Sequence, residues 1–196
     1  DFCMKITLPN KVKYIIDTIA AAGYEAYAVG GCIRDSILGR NPADWDITTS
    51  AKPEQVKELF PRTIDTGIAH GTVTVLLDKE GFEVTTYRID GEYEDSRHPK
   101  EVIFTSNLLE DLKRRDFTIN AMAYNGDYGL VDLYGGMQDL QRKVIRCVGD
   151  PKERFGEDAL RMLRAVRFAA QLGFAIDPAT AQAIKELAPD LKKISA

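Results

Sequence analysis

An α+β domain followed by an all-helical segment is the fold class the sequence predicts, and three observations lead there. Apolar residues recur with helical and with two-residue spacing in alternation over residues 10–148. Glycine, proline and charged turns punctuate the changes of period. Beyond Asp150-Pro151 only the helical spacing continues.

Taken in order, Val12, Ile15, Ile16 and Ile19 keep the helical period after Pro9, and Gly23 supplies the stop, so the first element is an amphipathic helix. Residues 24–29 read as a short buried strand entering Gly30-Gly31, after which Ile33, Ile37 and Leu38 pattern a short helix closed by Gly39. Asp44-Trp45-Asp46-Ile47 alternates polar with apolar and predicts a strand; Ser50, Pro53, Val56 and Leu59 signal the helix after it. The runs 72–77 and 82–88 flank Asp78-Lys79-Glu80-Gly81, a turn that makes them an antiparallel hairpin. Residues 90–101, DGEYEDSRHPKE, are charged and almost free of apolar side chains, and predict a mobile loop. A strand near 102–104, a helix over 108–124, and strands near Leu130 and over 144–148 complete the sheet region. A boundary is expected near Gly149, with a head over residues 1–149 and a helical segment over 150–196. In that segment one helix runs to Gly173 and a second begins near Asp177-Pro178. Ile184, Leu187 and Leu191 want a partner just before the end, so the segment reads as incomplete.

Composition narrows the function. The chain has 196 residues, 44% hydrophobic, enough for one good core and a smaller appendage. A net charge of −4 excludes a surface basic all round, so any nucleic-acid contact must be local. Cys3, Cys32 and Cys147, with His70 and His98, are too scattered for a disulfide framework or a zinc site. The chain shows neither a basic-then-apolar leader nor an apolar run near about 18 residues, and reads as cytoplasmic and not membrane-spanning.

Two carboxylates, Asp44 and Asp46, stand two apart and point to one face of a strand, where they can share a divalent cation. Without a cation such a pair is repulsive; alone, the pattern equally suits solvated turn carboxylates. About a dozen residues upstream, Gly30-Gly31 marks a strand-to-helix turn whose backbone N–H groups can approach a phosphate, with Arg34 and Asp35 in the next turn. Glu83 lies on a strand that can run beside the aspartates and add a third carboxylate, or can simply face solvent. Arg154, Asp158 and Arg161 fall on one helical stripe with Arg164 at its edge, a base-reading surface or an ion-pair ladder. Phe117, Ile119 and Met122 read as core.

GGCIRD at 30–35, DWD at 44–46 and a later strand with an acidic residue together resemble the DNA polymerase beta-like nucleotidyltransferase superfamily. RRDFTINAMAY at 114–124, DLYGGMQDL at 132–140 and GEDALRMLRAVRFAAQLGF at 156–174 narrow the resemblance to class II tRNA nucleotidyltransferases and bacterial poly(A) polymerases. It implies a head with a mixed or antiparallel sheet flanked by helices, followed by a helical neck. It further implies Mg²⁺ on Asp44 and Asp46 beside Glu83, and the triphosphate at Gly30, Gly31 and Arg34. Arg115, Asp116 and Asn120 would surround ribose and phosphates, and Asp116 suits a 2′-hydroxyl. Asp158 and Arg161 would read the Watson–Crick edge of C or A, with Arg164 and Arg167 meeting phosphates.

The activity so implied is addition of C, C and A to the 3′ end of tRNA from CTP and ATP by two-metal phosphoryl transfer. Poly(A) synthesis or addition of A alone is the alternative. The segment 90–99 resembles the flexible loop that CC-only enzymes lack, which counts against that branch. A non-catalytic nucleotide- or RNA-binding module would show eroded carboxylates or glycines, yet Asp44, Asp46, Gly30 and Gly31 are all present. Further C-terminal body and tail regions are expected to hold the tRNA.

Overall fold

The computed structural model describes residues 4–90 and 102–189. Helix α1 (Asn10–Ala21) leads to β1 (Ala26–Val29), α2 (Gly31–Ile37), β2 (Asp46–Thr49) and α3 (Pro53–Leu59). Strands β3 (Thr63–Gly67), β4 (Thr72–Leu77) and β5 (Glu80–Thr86) follow as an antiparallel meander, and β6 (Arg88–Asp90) pairs with β7 (Val102–Phe104) as a separate ribbon. Next come α4 (Leu108–Lys113), β8 (Met122–Asn125), β9 (Gly129–Asp132), α5 (Gly136–Arg142) and β10 (Val144–Ile145). Helices α6 (Pro151–Glu157) and α7 (Leu160–Leu172), strand β11 (Ala175–Ile176) and helix α8 (Pro178–Leu187) end the described chain. No helix among the described residues is long and apolar enough to cross a membrane.

The main sheet has seven strands in the order β3-β4-β5-β2-β1-β8-β9, and it is mixed because β2 and β5 run parallel while the other neighbours are antiparallel. Strand β1 lies inside the sheet and is buried along its whole length, as its run Ala26-Tyr27-Ala28-Val29 requires. Helix α1 buries Val12, Ile15, Ile16 and Ile19, the predicted stripe. Helix α3 starts on Pro53 at a position where the missing N–H costs nothing, and the Gln55 side chain accepts from the Lys52 N–H at 2.8 Å. In the β4–β5 hairpin Asp78 and Lys79 both take positive φ (49° and 69°), the twist-matched geometry for a tight hairpin turn.

Three expectations need correction. The helix expected over 108–124 stops after α4: Phe117 bridges Cys147, Thr118–Asn120 form a 3₁₀ turn, and β8 joins the sheet beside β1. Thr118 donates its hydroxyl to buried Asp139 at 2.6 Å and its N–H to the Arg146 carbonyl at 3.0 Å, so tertiary polar contacts and sheet pairing override local helix preference. The strand expected over 144–148 shrinks to β10, which pairs in parallel with β11 and not with the main sheet. Among the described residues the segment after Asp150 is therefore helical apart from β11 and the connections, and its first helix is divided at Asp158, whose extended backbone (φ −144°, ψ 102°) separates α6 from α7. The loop expected over 90–101 lies, after its first residue, outside the described residues.

One hydrophobic core runs from Ile15, Ile33 and Ile47 on the helix-covered face of the sheet through Phe117 and Ile145 to Phe155, Met162 and Phe168. A smaller cluster of Tyr27, Val29, Tyr87, Leu112 and Ala123 fills the opposite face under α4. The sheet is thus held between α4 on one side and α1, α2 and α3 on the other, while α7 packs against β10 and β11.

Candidate active site

Register sets the site. Val29, the last residue of β1, pairs with Asp46, the first of β2, so the chain leaves β1 into Gly30 directly beside that aspartate. Gly30 (φ 85°, ψ −137°) occupies a conformation that side chains with a Cβ avoid, and its N–H donates to the Met122 carbonyl on β8 at 3.2 Å. The neighbouring β5 brings Glu83 next to Asp46, one residue before the Ile47–Val84 pair. Residues from the start of α2, from β2, β4 and β6, from the turn after α4, and from α7 converge on a cavity of about 1040 Å³. Every predicted site residue except Glu83 lines it.

Asp44 sits just before β2 and Asp46 opens it; both line the cavity. Although the Asp46 residue is exposed overall, its carboxylate lies in the concavity, and desolvation pushes its pKa up. The charges of Glu83 and Asp44 push the same way, and only Arg115 opposes them. An anion destabilised in this way is the donor that a cation would relieve, so the residues fit a divalent metal. Among the described residues no cluster of three His, Cys, Asp or Glu is tight enough to hold a metal on its own, so substrate oxygens or water would complete the coordination.

A chain of hydrogen bonds spans the opposite wall. Arg34 Nη1 donates to Asn120 Oδ1 at 2.8 Å, and Asn120 Nδ2 donates to Asp116 Oδ1 at 3.3 Å. Asp116 Oδ2 then receives Arg164 Nε at 2.8 Å from α7. Arg34, Arg164 and Arg167 surround the Phe168 ring, with guanidinium carbons 5.2, 5.4 and 5.4 Å from its centre. Phe168 itself meets Phe117 edge-on at 6.0 Å.

The predicted stripe is not one helical face. Asp158 lies in the break, where its carboxylate accepts the Leu160 N–H at 3.0 Å and so helps start α7. Arg161 is buried on α7 and donates to the Arg154 carbonyl at 3.0 Å, to Glu157 at 3.0 Å and to the Arg114 carbonyl at 3.3 Å. Arg154 also grips the carbonyls of Arg114 and, at 2.7 Å, Arg115. Asp158 and Arg161 still line the same cavity, brought there by the bend between α6 and α7.

Five lining residues lie outside the predicted set: His70, Thr72, Arg88, Arg114 and Phe168. Phe168 carried a signal, since it directly follows Arg167 at the end of the arginine series in the segment 156–174. Arg114 stood in the charge run beside Arg115. His70, Thr72 and Arg88 gave none, because sheet register alone turns them toward the cavity.

Residues 26–146 match the model of the poly(A) polymerase head domain, which covers more than half of the chain. The chain belongs to that family. Its members are polymerase beta-like nucleotidyltransferases, which typically use divalent metals. In this head-domain protein, residues 173–196 also match a probable RNA and SrmB-binding site of polymerase A. It is 56% identical over 183 residues to the CCA-adding enzyme of Lactiplantibacillus plantarum, a match spanning 93% of this chain and 45% of the relative. It is 52% identical over 196 residues to that of Enterococcus faecalis, spanning 98% and 48%. The head also resembles the crystal structure of the Bacillus stearothermophilus CCA-adding enzyme in complex with CTP (TM-score 0.87, 48% identity, 96% of this chain and 46% of that one). A tRNA nucleotidyltransferase complexed with a primer tRNA and an incoming ATP analog is likewise similar (TM-score 0.71, 34% identity, 89% and 50%). The chain thus spans about half the length of these relatives.

Proposed function

We propose that this chain is the catalytic part of an enzyme that adds C, C and A to the 3′ end of tRNA from CTP and ATP in the cytoplasm. The observation that carries the reading is the cavity itself, where the aspartate pair, the Gly30 turn and a group of arginines meet. In this reading residues 1–149 form the nucleotidyltransferase head and 150–196 a neck. Asp44 and Asp46, with Glu83 behind them, hold Mg²⁺, which supplies neutralisation of the charge that builds on the triphosphate during transfer. The Gly30-Gly31 turn and Arg34 receive the phosphates, and Arg115 stands beside the turn. Asp116, held by Asn120 and Arg164, is oriented to accept a ribose hydroxyl. Asp158 and Arg161 offer acceptors and donors to a base edge, and Arg167 adds positive charge at the mouth.

Similarity to CCA-adding enzymes at above half identity supports this choice over poly(A) synthesis, which the family description keeps as the second reading. Incubating the enzyme with tRNA lacking its 3′ CCA, labelled CTP or ATP, and Mg²⁺ tests it. A product extended by C, C and A is expected, and Asp46→Ala should abolish it while leaving the fold intact. A run of A without C would establish the second reading. Undiminished activity in an Asp44/Asp46 double variant would sink the metal assignment.

A further inference from the structure

Asp111, in the last turn of α4, is fully buried and lies outside the cavity lining. Its Oδ2 accepts from Thr48 Oγ1 at 3.1 Å and from Arg115 Nη2 at 3.3 Å. Its Oδ1 accepts from the Arg88 N–H at 3.1 Å and from Arg114 Nε at 3.4 Å. An ionised carboxylate withdrawn from water persists only where donors of this kind compensate it.

These donors come from separate elements around the cavity. Thr48 shares the pleat of β2 with Asp46, two residues away. Arg88, Arg114 and Arg115 all line the cavity. The other amino group of Arg115, Nη1, lies 3.6 Å from the position a Cβ would take on Gly30. One guanidinium thus bridges the buried carboxylate and the glycine turn. A long arginine side chain otherwise samples many rotamers, and holding Nη2 removes most of that freedom before any ligand arrives.

We infer that Asp111 is a positioning residue for the nucleotide's phosphates: it fixes Arg115 beside the Gly30 turn without itself touching the nucleotide. The inference rests on the cavity being a nucleotide site as proposed above.

Calorimetric titration of CTP into wild type, Asp111→Asn, Arg115→Ala and the double variant, at fixed Mg²⁺, tests it. Asn keeps the volume and loses the charge. Each single variant should bind CTP roughly tenfold more weakly, the effect of one charge-assisted hydrogen bond, and the double variant no more weakly than Arg115→Ala. In ¹⁵N spectra, the Arg115 Nη resonances should be split by hindered rotation in wild type and merge in Asp111→Asn. Additive losses, or unchanged Arg115 resonances in Asp111→Asn, would overturn the inference. Should Asp111→Asn fail to fold, Arg115→Lys decides: a single ammonium cannot span both sites, so its CTP affinity should fall roughly tenfold at unchanged melting temperature. Unchanged affinity would refute the bridging role. A wild-type chain that binds no CTP would instead remove the nucleotide reading of the cavity.

Discussion

Replacing Gly30 and Gly31 separately by alanine isolates what the glycine turn does. At Gly30 a new Cβ would meet nothing closer than Arg115 Nη1 at 3.6 Å and the Asn120 carbonyl at 3.9 Å, so space is not the obstacle. The backbone is: φ 85° with ψ −137° is open to glycine and costs other residues about 1–3 kcal/mol. Alanine also restricts the unfolded chain, returning about 0.4–1 kcal/mol. The expected net loss is about 1–2 kcal/mol, a fall in melting temperature of roughly 2–8 °C for a chain of this size. Gly31 is helical, where alanine is favoured over glycine, and its Cβ would approach Arg34 Nη2 at 3.3 Å, the far end of a long side chain that can shift at the cost of its bond to Asn120. Gly31→Ala should therefore change stability by less than about 0.5 kcal/mol. It should nevertheless displace Arg34 from Asn120 and weaken CTP binding. Scanning calorimetry with parallel CTP titrations separates the two effects. Equal melting temperatures for the two variants, or greater loss at Gly31, would refute the argument from backbone strain.

Asp46 is held with a raised pKa by burial and by Glu83, so its protonated form stabilises the fold at acid pH, and that contribution is lost as pH rises through the folded-state pKa. Asp46→Asn should then be at least as stable as wild type at neutral pH without divalent metal, and Mg²⁺ should raise the melting temperature of wild type alone; pH-dependent calorimetry reads both. Arg161→Ala should weaken selection of CTP and ATP over UTP and GTP by about 1–3 kcal/mol with Mg²⁺ dependence retained, and should also lower stability because three acceptors each lose one of their donors. Incorporation of all four nucleotides by a catalytically active form measures it; unchanged selectivity would leave Arg161 a structural clamp. Burial pushes the thiols of Cys32 and Cys147 up to about 11 and about 12, so both should resist iodoacetamide in the native protein at mildly alkaline pH and react after unfolding, as mass spectrometry would show.

Local signals served the sequence reading well where the chain obeys its own periodicity. Val12, Ile15, Ile16 and Ile19 could face only one core, and Asp44 with Asp46 could converge only from an extended segment. The reading failed where distant partners decide. Residues 114–124 keep enough apolar spacing for a helix, yet Asp139, Arg146 and the β1 edge pull them into a 3₁₀ turn and a strand. The two-residue strands β10 and β11 pair with each other across about thirty residues; β10 keeps only the start of the pattern over 144–148, and β11 carries none of its own. Asp111 was invisible for a similar reason: in sequence it is one acid among charged neighbours, and only the fold removes it from water.

The break at Asp158 bears on how base reading would work. A continuous helix would have held Asp158 and Arg161 in fixed register one turn apart, whereas here Asp158 sits on extended backbone and Arg161 on α7. Their relation is set by the hydrogen bonds around the break: the Leu160 N–H on Asp158, and the carbonyls of Arg114 and Arg154 on Arg161. Those carbonyls belong to the turn that carries Arg115 and to α6, so the pair proposed to face the base is anchored to the residues proposed to meet the phosphates. Among the described residues seven arginines against four aspartates line the cavity of a chain whose net charge is −4. The positive charge is thus concentrated where the triphosphate is proposed to lie, and the tethers on Arg34, Arg115, Arg161 and Arg164 fix its geometry before any ligand enters. Selectivity and phosphate binding should therefore be coupled, so that loosening the 114–116 turn degrades both together.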